Sequence, residues 1–322
     1  MMYRICRGRP FYCIIAYSMP SRSSLLSRRD RFHSQNICSG ATTAASPLLE
    51  SIVDMNRCPI HDPKFAIECR KKMDYSVEDG EGLCHLADFL TPEGTRLLQA
   101  EANSVKSQAF YSDESHNAYL EKEDQNYPAN HARNMQQRST KRLVAADQME
   151  FPSSASSSGI LLYLYKSPLL KYFVQEVIGV KPLYLQADPM NKVHLNYFSP
   201  GDELGWHFDN SEFFVNLLLQ APTSGGEFEF VARSRTETDP NYSIVKQVLD
   251  GRKSVTTVEP TSGSLLIFRG KYSIHRVRQV IDGERITAIL NYEQQPGVIM
   301  NEYTRKKFFG RTLDDVQPQN TS

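Results

Sequence analysis

The sequence predicts a mainly β protein, a jelly roll or closed barrel with flanking helices. Three observations carry this. Past Lys181 the chain breaks into short β-type runs at 193–198, 213–219, 227–231, 254–258, 265–268, 275–280 and 286–292. Turn residues divide them: Ser-Pro-Gly-Asp at 199–202, Ser-Gly-Gly at 224–226, Thr-Ser-Gly at 261–263 and Asp-Gly at 282–283. Finally, the runs succeed one another without alternating helices, apart from one helical insertion at 242–249, which argues against a doubly wound α/β fold. Glycine-rich phosphate loops and a G-x-S-x-G elbow are both absent.

From the amino terminus, residues 1–49 carry seven arginines, no lysine and one acid, Asp30, and are rich in serine. That composition is transit-peptide-like, so residues 1–60 are read as a basic extension, disordered or targeting. A mitochondrial address and a cytoplasmic protein with a non-targeting extension both fit; either is intracellular. Order is expected to begin near Gly82. Residues 83–90 form a short mixed apolar run, after which Thr91 reads as an N-cap with Pro92 at the first helical position. Leu97, Leu98 and Ala102 continue that helix to about 107. Residues 111–157 are polar and rich in Ser, Asn and Gln, and are read as an irregular lid or binding loop ending in a flexible run at 153–158. A second helix spans 167–178, with Leu169, Leu170, Phe173, Val174 and Val177 at helical spacing and Gly179 closing it. The catalytic domain is expected over 83–310, with a helical part at 83–180, a β core at 190–295, and a tail at 311–322.

Of 322 residues, 40% are apolar and 10% aromatic, enough for one sizeable core plus an appendage. The 37 basic and 37 acidic residues cancel. The cancellation is uneven: residues 1–49 hold +6, and the rest of the chain holds −6. An acidic body argues against a protein that coats nucleic acid. No run of about 18 apolar residues occurs, so no membrane-spanning helix is expected. All six cysteines lie in the first 84 residues, which fits reduced thiols better than a disulfide framework. Cys58 and His61, followed by Cys69, resemble a zinc site only in passing, because no second close ligand pair completes it.

Three of the eight histidines, His194, His207 and His275, fall in the β region. On a strand, residues two apart share a face, so His207 and Asp209 can converge on one ion. Two imidazoles and a carboxylate suit Fe(II) and leave coordination positions open. His275, 68 residues on, opens a late strand, and Arg285 begins the last one. Singly, each is weak: a strand histidine is more often a satisfied core residue, and an arginine entering a strand a rim charge. Their order on an all-β region makes the joint reading much stronger.

His207-x-Asp209, His275 and Arg285 together resemble the Fe(II)/2-oxoglutarate-dependent dioxygenase superfamily. The flanking string from Asn196 through Trp206 to Asp209, followed by 217–220 and 225–229, resembles its bacterial and fungal subgroup of radical hydroxylases and halogenases of free amino acids. The resemblance covers about 83–310 and implies a double-stranded β-helix. It implies that His207, Asp209 and His275 hold the iron and that 2-oxoglutarate and O2 are cosubstrates. Arg285 would pair with the distal 2-oxoglutarate carboxylate, a bidentate task suited to guanidinium. Asn196 would contact the cosubstrate. Phe198 stands where related nucleic-acid demethylases carry a tyrosine, which leaves one cosubstrate hydrogen bond unaccounted for. Halogenases replace the acid ligand by a small residue; Asp209 is present, so hydroxylation is expected.

Other residues are less telling. Trp206 points away from His207 and reads as packing. His194 shares the parity of Asn196 and reads as a structural hydrogen-bonding residue that can face the cavity. Asn291, on the face of Arg285, and Asn210, next to the acid ligand, are candidate substrate contacts. The expected function is therefore hydroxylation of an unactivated C–H bond in a small polar substrate, a free amino acid foremost. The alternatives are a peptidyl prolyl-type hydroxylase, a nucleic-acid demethylase and a non-catalytic jelly-roll binding protein. Arg133, Arg138, Lys141 and Arg142 cluster but lack interleaved aromatics, which counts against nucleic acid. A small-molecule partner is expected, with neither nucleic acid nor membrane. The sequence leaves oligomeric state open.

Overall fold

The computed structural model describes residues 45–149 and 159–312. The transit-like composition of 1–44, the serine run at 153–158 and the tail from 313 lie outside the described residues. Folded structure begins well before Gly82, which corrects both that expectation and the basic-extension reading at 45–60. Helix α1 (Pro47–Ile52) is capped by the Ser46 hydroxyl, which accepts from the Leu49 amide at 3.2 Å. Helix α2 (Pro63–Met73) starts at an Asp62–Pro63 cap and ends in Arg70, Lys71 and Lys72, which suit the negative end of its dipole. Their apolar positions were too sparse to signal a helix, yet Leu49, Ile52, Ala66, Cys69 and Met73 are buried in the main core. Tertiary packing, not propensity, holds helices this short.

Strand β1 (Leu83–Leu86) follows, then α3 (Pro92–Val105), capped as expected by Thr91, whose hydroxyl accepts from the Gly94 amide at 2.8 Å. Gly94 lets α1 approach: a Cβ there would sit 2.3 Å from the Ile52 carbonyl oxygen. The region read as an irregular lid is instead a hairpin-like pair, β2 (Phe110–Asn117) and β3 (Gln136–Ala145), in register from Phe110↔Leu143 to Asn117↔Gln136. Its polarity has a physical origin. β2 is an edge strand with a largely wet outer face, and β3 turns buried polar side chains, including Lys141, inward. Helices α4 (Ile160–Lys166) and α5 (Pro168–Ile178) come next, the latter closed by Gly179 at φ 80°. Phe65 of α2 stacks on Phe173 of α5 at 5.8 Å.

The β region then runs β4 (Tyr184–Leu185), β5 (Val193–Phe198), β6 (Glu203–His207), β7 (Phe214–Gln220), β8 (Ser224–Gly225) and β9 (Phe228–Val231). After α6 (Tyr242–Leu249) come β10 (Thr256–Val258), β11 (Ser264–Phe268), β12 (Ile274–Val277), β13 (Val280–Asp282), β14 (Arg285–Leu290) and β15 (Tyr292–Glu293), and α7 (Glu302–Phe309) closes the series. The antiparallel order is β1-β11-β7-β14-β5-β3-β6-β12-β9-β10. β3 pairs with both β5 and β6, so one continuous sheet curls into two facing halves. This is the jelly roll with flanking helices that the spacing of strands predicts.

Helices α1–α5 cover the outer face of the β11-β7-β14-β5 half and bury the largest apolar cluster there. Phe228, Phe230, Phe268, Leu266 and Val277 fill the interior at one end of the two halves. The other end holds polar side chains and a cavity of about 570 Å³. Among the described residues no helix is long and apolar enough to cross a membrane.

Candidate metal centre and cosubstrate cavity

The site is built on cross-strand registry. His207 ends β6 and lies directly opposite His275 on β12, with ring centroids 4.2 Å apart. Antiparallel pairing puts both side chains on the inner face, a relation that two positions 68 residues apart cannot show in sequence. Asp209 follows just beyond β6, anchored by its amide donating to the Gly270 carbonyl at 3.1 Å. Its carboxylate oxygens lie 3.7 Å from His207 Nε2 and 3.6 Å from His275 Nε2. Among the described residues these three form the only group whose ligand atoms lie within 4.8 Å of one another.

The donors fit a resident metal. His207 Nδ1 faces the Gly205 carbonyl at 2.8 Å, and His275 Nδ1 faces the Ser273 carbonyl at 3.0 Å. Carbonyls accept only, so each Nδ1 carries the proton and each Nε2 presents a lone pair to the centre. Burial holds both imidazoles neutral, with His275 pushed down to about 4. Burial also pushes Asp209 up to about 6, and its Oδ2 is buried with no hydrogen-bond partner among the described residues. A cation at this point satisfies that oxygen. Gly270 leaves the necessary room: a Cβ there would sit 1.7 Å from Asp209 Oδ2.

From the metal centre the cavity extends along the inner faces of β3, β5, β7 and β14. Asn196 and Phe198 of β5 pair in register with Thr287 and Arg285 of β14. Arg285 is 4% exposed, its Nε has no partner among the described residues, and its guanidinium lies 5.5 Å from the Phe198 ring centroid. Burial pushes it down to about 10. Asn196 Oδ1 is also buried without a partner among the described residues. Thr287 donates its hydroxyl proton to the Leu217 carbonyl at 3.1 Å, and the same oxygen contacts the Asn216 side-chain amide. The cavity is thus lined by unspent polar groups beside the metal donors.

Of the remaining sequence candidates, Asn210 lines the cavity beside the acid ligand. Asn291 lines it as well, but its amide donates to the Asn191 carbonyl at 2.6 Å and to Asn191 Oδ1 at 3.0 Å, a structural use. His194 faces the cavity with its Nδ1 unbonded, edge-on to Phe309 at 5.5 Å, where a structural hydrogen bond was expected. Trp206 packs in a separate cluster, with the Arg276 guanidinium 4.7 Å from its ring centroid. The cysteines at 58, 69 and 84 are free buried thiols.

Sequence reasoning missed Lys141, which belongs to the cavity wall and not to a surface basic cluster. It also missed α7, whose Phe308 and Phe309 line the cavity from outside the sheet. Arg305 holds α7 in place, with Nε and Nη2 at 3.0 and 2.9 Å from the fully buried Asp188. Ser139, Thr140 and Lys141 are buried in a row on β3, so no apolar alternation marks the strand and nothing local signals Lys141 or the Asp188–Arg305 pair.

The family model "Halogenase D" matches residues 81–304. No curated protein matches the chain. Among solved structures, a 2OG-Fe(II) oxygenase-family oxidoreductase of Burkholderia pseudomallei shares 14% identity, covering 71% of this chain and 91% of its own, with a TM-score of 0.43. A Pseudomonas putida prolyl-4-hydroxylase shares 15%, covering 70% and 96%, at 0.43. The α-ketoglutarate-dependent epimerase SnoN of nogalamycin biosynthesis shares 15%, covering 74% and 93%, at 0.48. The family match spans most of the chain and contains the whole His-Asp-His centre: the chain belongs to the halogenase D family and is an iron- and 2-oxoglutarate-dependent oxygenase.

Proposed function

We propose that the chain hydroxylates an unactivated C–H bond of a small polar substrate, with free amino acids as the substrate class. The observation that carries hydroxylation over halogenation is Asp209. The resemblance implies a small residue at this position in halogenases, whereas here a carboxylate completes the donor set and Gly270 leaves it space. The cavity of about 570 Å³ supports a small molecule, since it falls in the ordinary range for such ligands.

In this reading His207, Asp209 and His275 hold Fe(II), which with 2-oxoglutarate and O2 supplies the oxidising chemistry. The chain's own residues do the rest. The backbone carbonyls of Gly205 and Ser273 fix the two imidazoles in the ligating tautomer. Arg285 takes the distal carboxylate of the cosubstrate, and Asn196 offers its amide to the same molecule. Phe198 closes the aliphatic side and Thr287 lies level with Asn196. Phe308 and Phe309 of α7 exclude water from the mouth.

The test is incubation of the full chain with Fe(II), 2-oxoglutarate and each free amino acid in the presence of chloride. Succinate and a product heavier by one oxygen are expected. A chlorinated product, or none from any amino acid, overturns the reading.

A further inference from the structure

Three cations line the cavity: Lys141, Lys271 and Arg285. Lys271 is spent, since its ammonium lies 3.0 Å from Glu237. Lys141 and Arg285 are 6% and 4% exposed, and neither makes an ion pair with a described residue. Lys141 is the odder of the two. Its ammonium makes no hydrogen bond among the described residues, and the Phe308 ring centroid lies 6.0 Å from it. The acids that line the cavity are occupied: Asp209 in the metal centre, Glu212 on Arg269 at 2.6 Å, and Glu293 accepting from Gln186 at 2.7 Å. An ammonium buried without a counter-anion is costly, and a fold keeps one where a ligand supplies the anion.

The registry fixes where Lys141 stands. Arg142 pairs with Tyr197, so Lys141 lies level with Phe198 and on the opposite face of β3 from Arg142. Phe198 in turn pairs with Arg285. The two cations therefore flank one phenyl ring, Arg285 on the β14 side and Lys141 on the β3 side toward α7. Lys141 also senses both ends of the cavity: burial pushes it down to about 8, Asp209 pulls it up and Arg285 pushes it down.

A charge inventory then separates the two roles. The cosubstrate brings two carboxylates; in the proposed function one lies at the metal and the other on Arg285. Lys141 is left over, beside the metal centre and under α7.

We propose that Lys141 anchors a carboxylate of the prime substrate, so that the enzyme takes molecules bearing a free carboxylate and orients them by that group. This rests on the proposed function, and it adds the recognition element that reading lacks. A substrate whose carboxylate is esterified loses its anchor. Phe308, against the ammonium, keeps water away from the pair and strengthens it.

The experiment is a non-turnover binding measurement. The full chain is loaded with Mn(II) and 2-oxoglutarate under argon, and thermal stabilisation is read against the free amino acids and against their methyl esters. At least one free acid is expected to stabilise the protein and its ester not to. Lys141→Met should weaken the acid by about tenfold or more, the size of one hydrogen bond to a charged group. Lys141→Arg should restore most of it, and 2-oxoglutarate binding should change by no more than about twofold.

Equal binding of acid and ester, or unaltered acid binding in Lys141→Met, overturns the proposal. So does a selective loss of 2-oxoglutarate binding, which assigns Lys141 to the cosubstrate. Absence of any binding acid overturns it together with the amino-acid class. A chlorinated product in the turnover assay sinks only the hydroxylation reading.

Discussion

Arg285 and Gly270 show how single residues set this site. Arg285 is a buried guanidinium whose Nε has no partner among the described residues. Arg285→Met should raise the 2-oxoglutarate concentration needed to half-saturate the charge-transfer band by about tenfold or more, with iron content unchanged. An unchanged requirement would remove Arg285 from cosubstrate binding. Gly270 acts by what it lacks. In Gly270→Ala the new methyl meets Asp209 Oδ2, and Asp is too short to swing clear while still reaching the metal. Iron content per chain should fall by more than half while the fold survives; full occupancy would show that the carboxylate has another route to the ion.

His194 connects a residue to pH. Burial pushes its imidazole down to about 3, below the ordinary value of 6.5, with Lys141 adding to the effect. The unfolded chain therefore binds a proton that the folded chain refuses between those values. The stability is fully present above pH about 6.5 and is lost as pH falls toward 3. In metal-free protein His194→Gln should flatten the stability slope over that window by up to about 1.4 kcal/mol per pH unit. An identical slope from urea melts would place the refused proton on other groups.

Among the elements, α7 and α2 contribute in different ways. α7 is short, carries Glu302, Arg305 and Lys306 among its residues, and docks through one buried ion pair, Arg305 with Asp188. Asp188 is in turn held by the Met190 and Met300 amides at 3.0 and 3.1 Å. Removing one partner leaves a buried charge uncompensated, so Arg305→Met should cost roughly 3 kcal/mol in thermal or urea unfolding. Because Phe308 and Phe309 ride on α7, the same change should weaken prime-substrate binding more than 2-oxoglutarate binding. Equal weakening of both would mean that α7 does not define the substrate side. α2 instead seals the core with Cys69 and Met73, near Cys58 and Cys84. Burial pushes Cys58 up to about 12. Cys58 should resist alkylation in the folded chain at pH 8 and react on denaturation, as peptide mapping can show.

The elements also show what sequence patterns register. The helix at 242–249 and the strand at 193–198 are found at the residues their periodicity indicates, since each buries one apolar face. β2 and β3 were read as loop because one wets an edge and the other lines a polar cavity. Both break the apolar alternation that marks a strand.

At the scale of the molecule, a sheet curled through β3 places three donors from distant positions at one point and a cavity beside them. The sequence by itself determined the chemical class. Strand spacing, His207-x-Asp209, His275 and Arg285 are local words whose order on a β framework already implies an iron site, because ligand type and face parity are properties of nearby residues. Only the tertiary structure decided what surrounds that site. Lys141 is exposed or buried, paired or unpaired, according to which strands β3 joins, and α7 covers the cavity through Asp188, more than a hundred residues upstream, and through Phe309 packed on Leu143, Ala145 and Met190. Burial and partnership are relations between distant segments, and they arise only when the sheet closes.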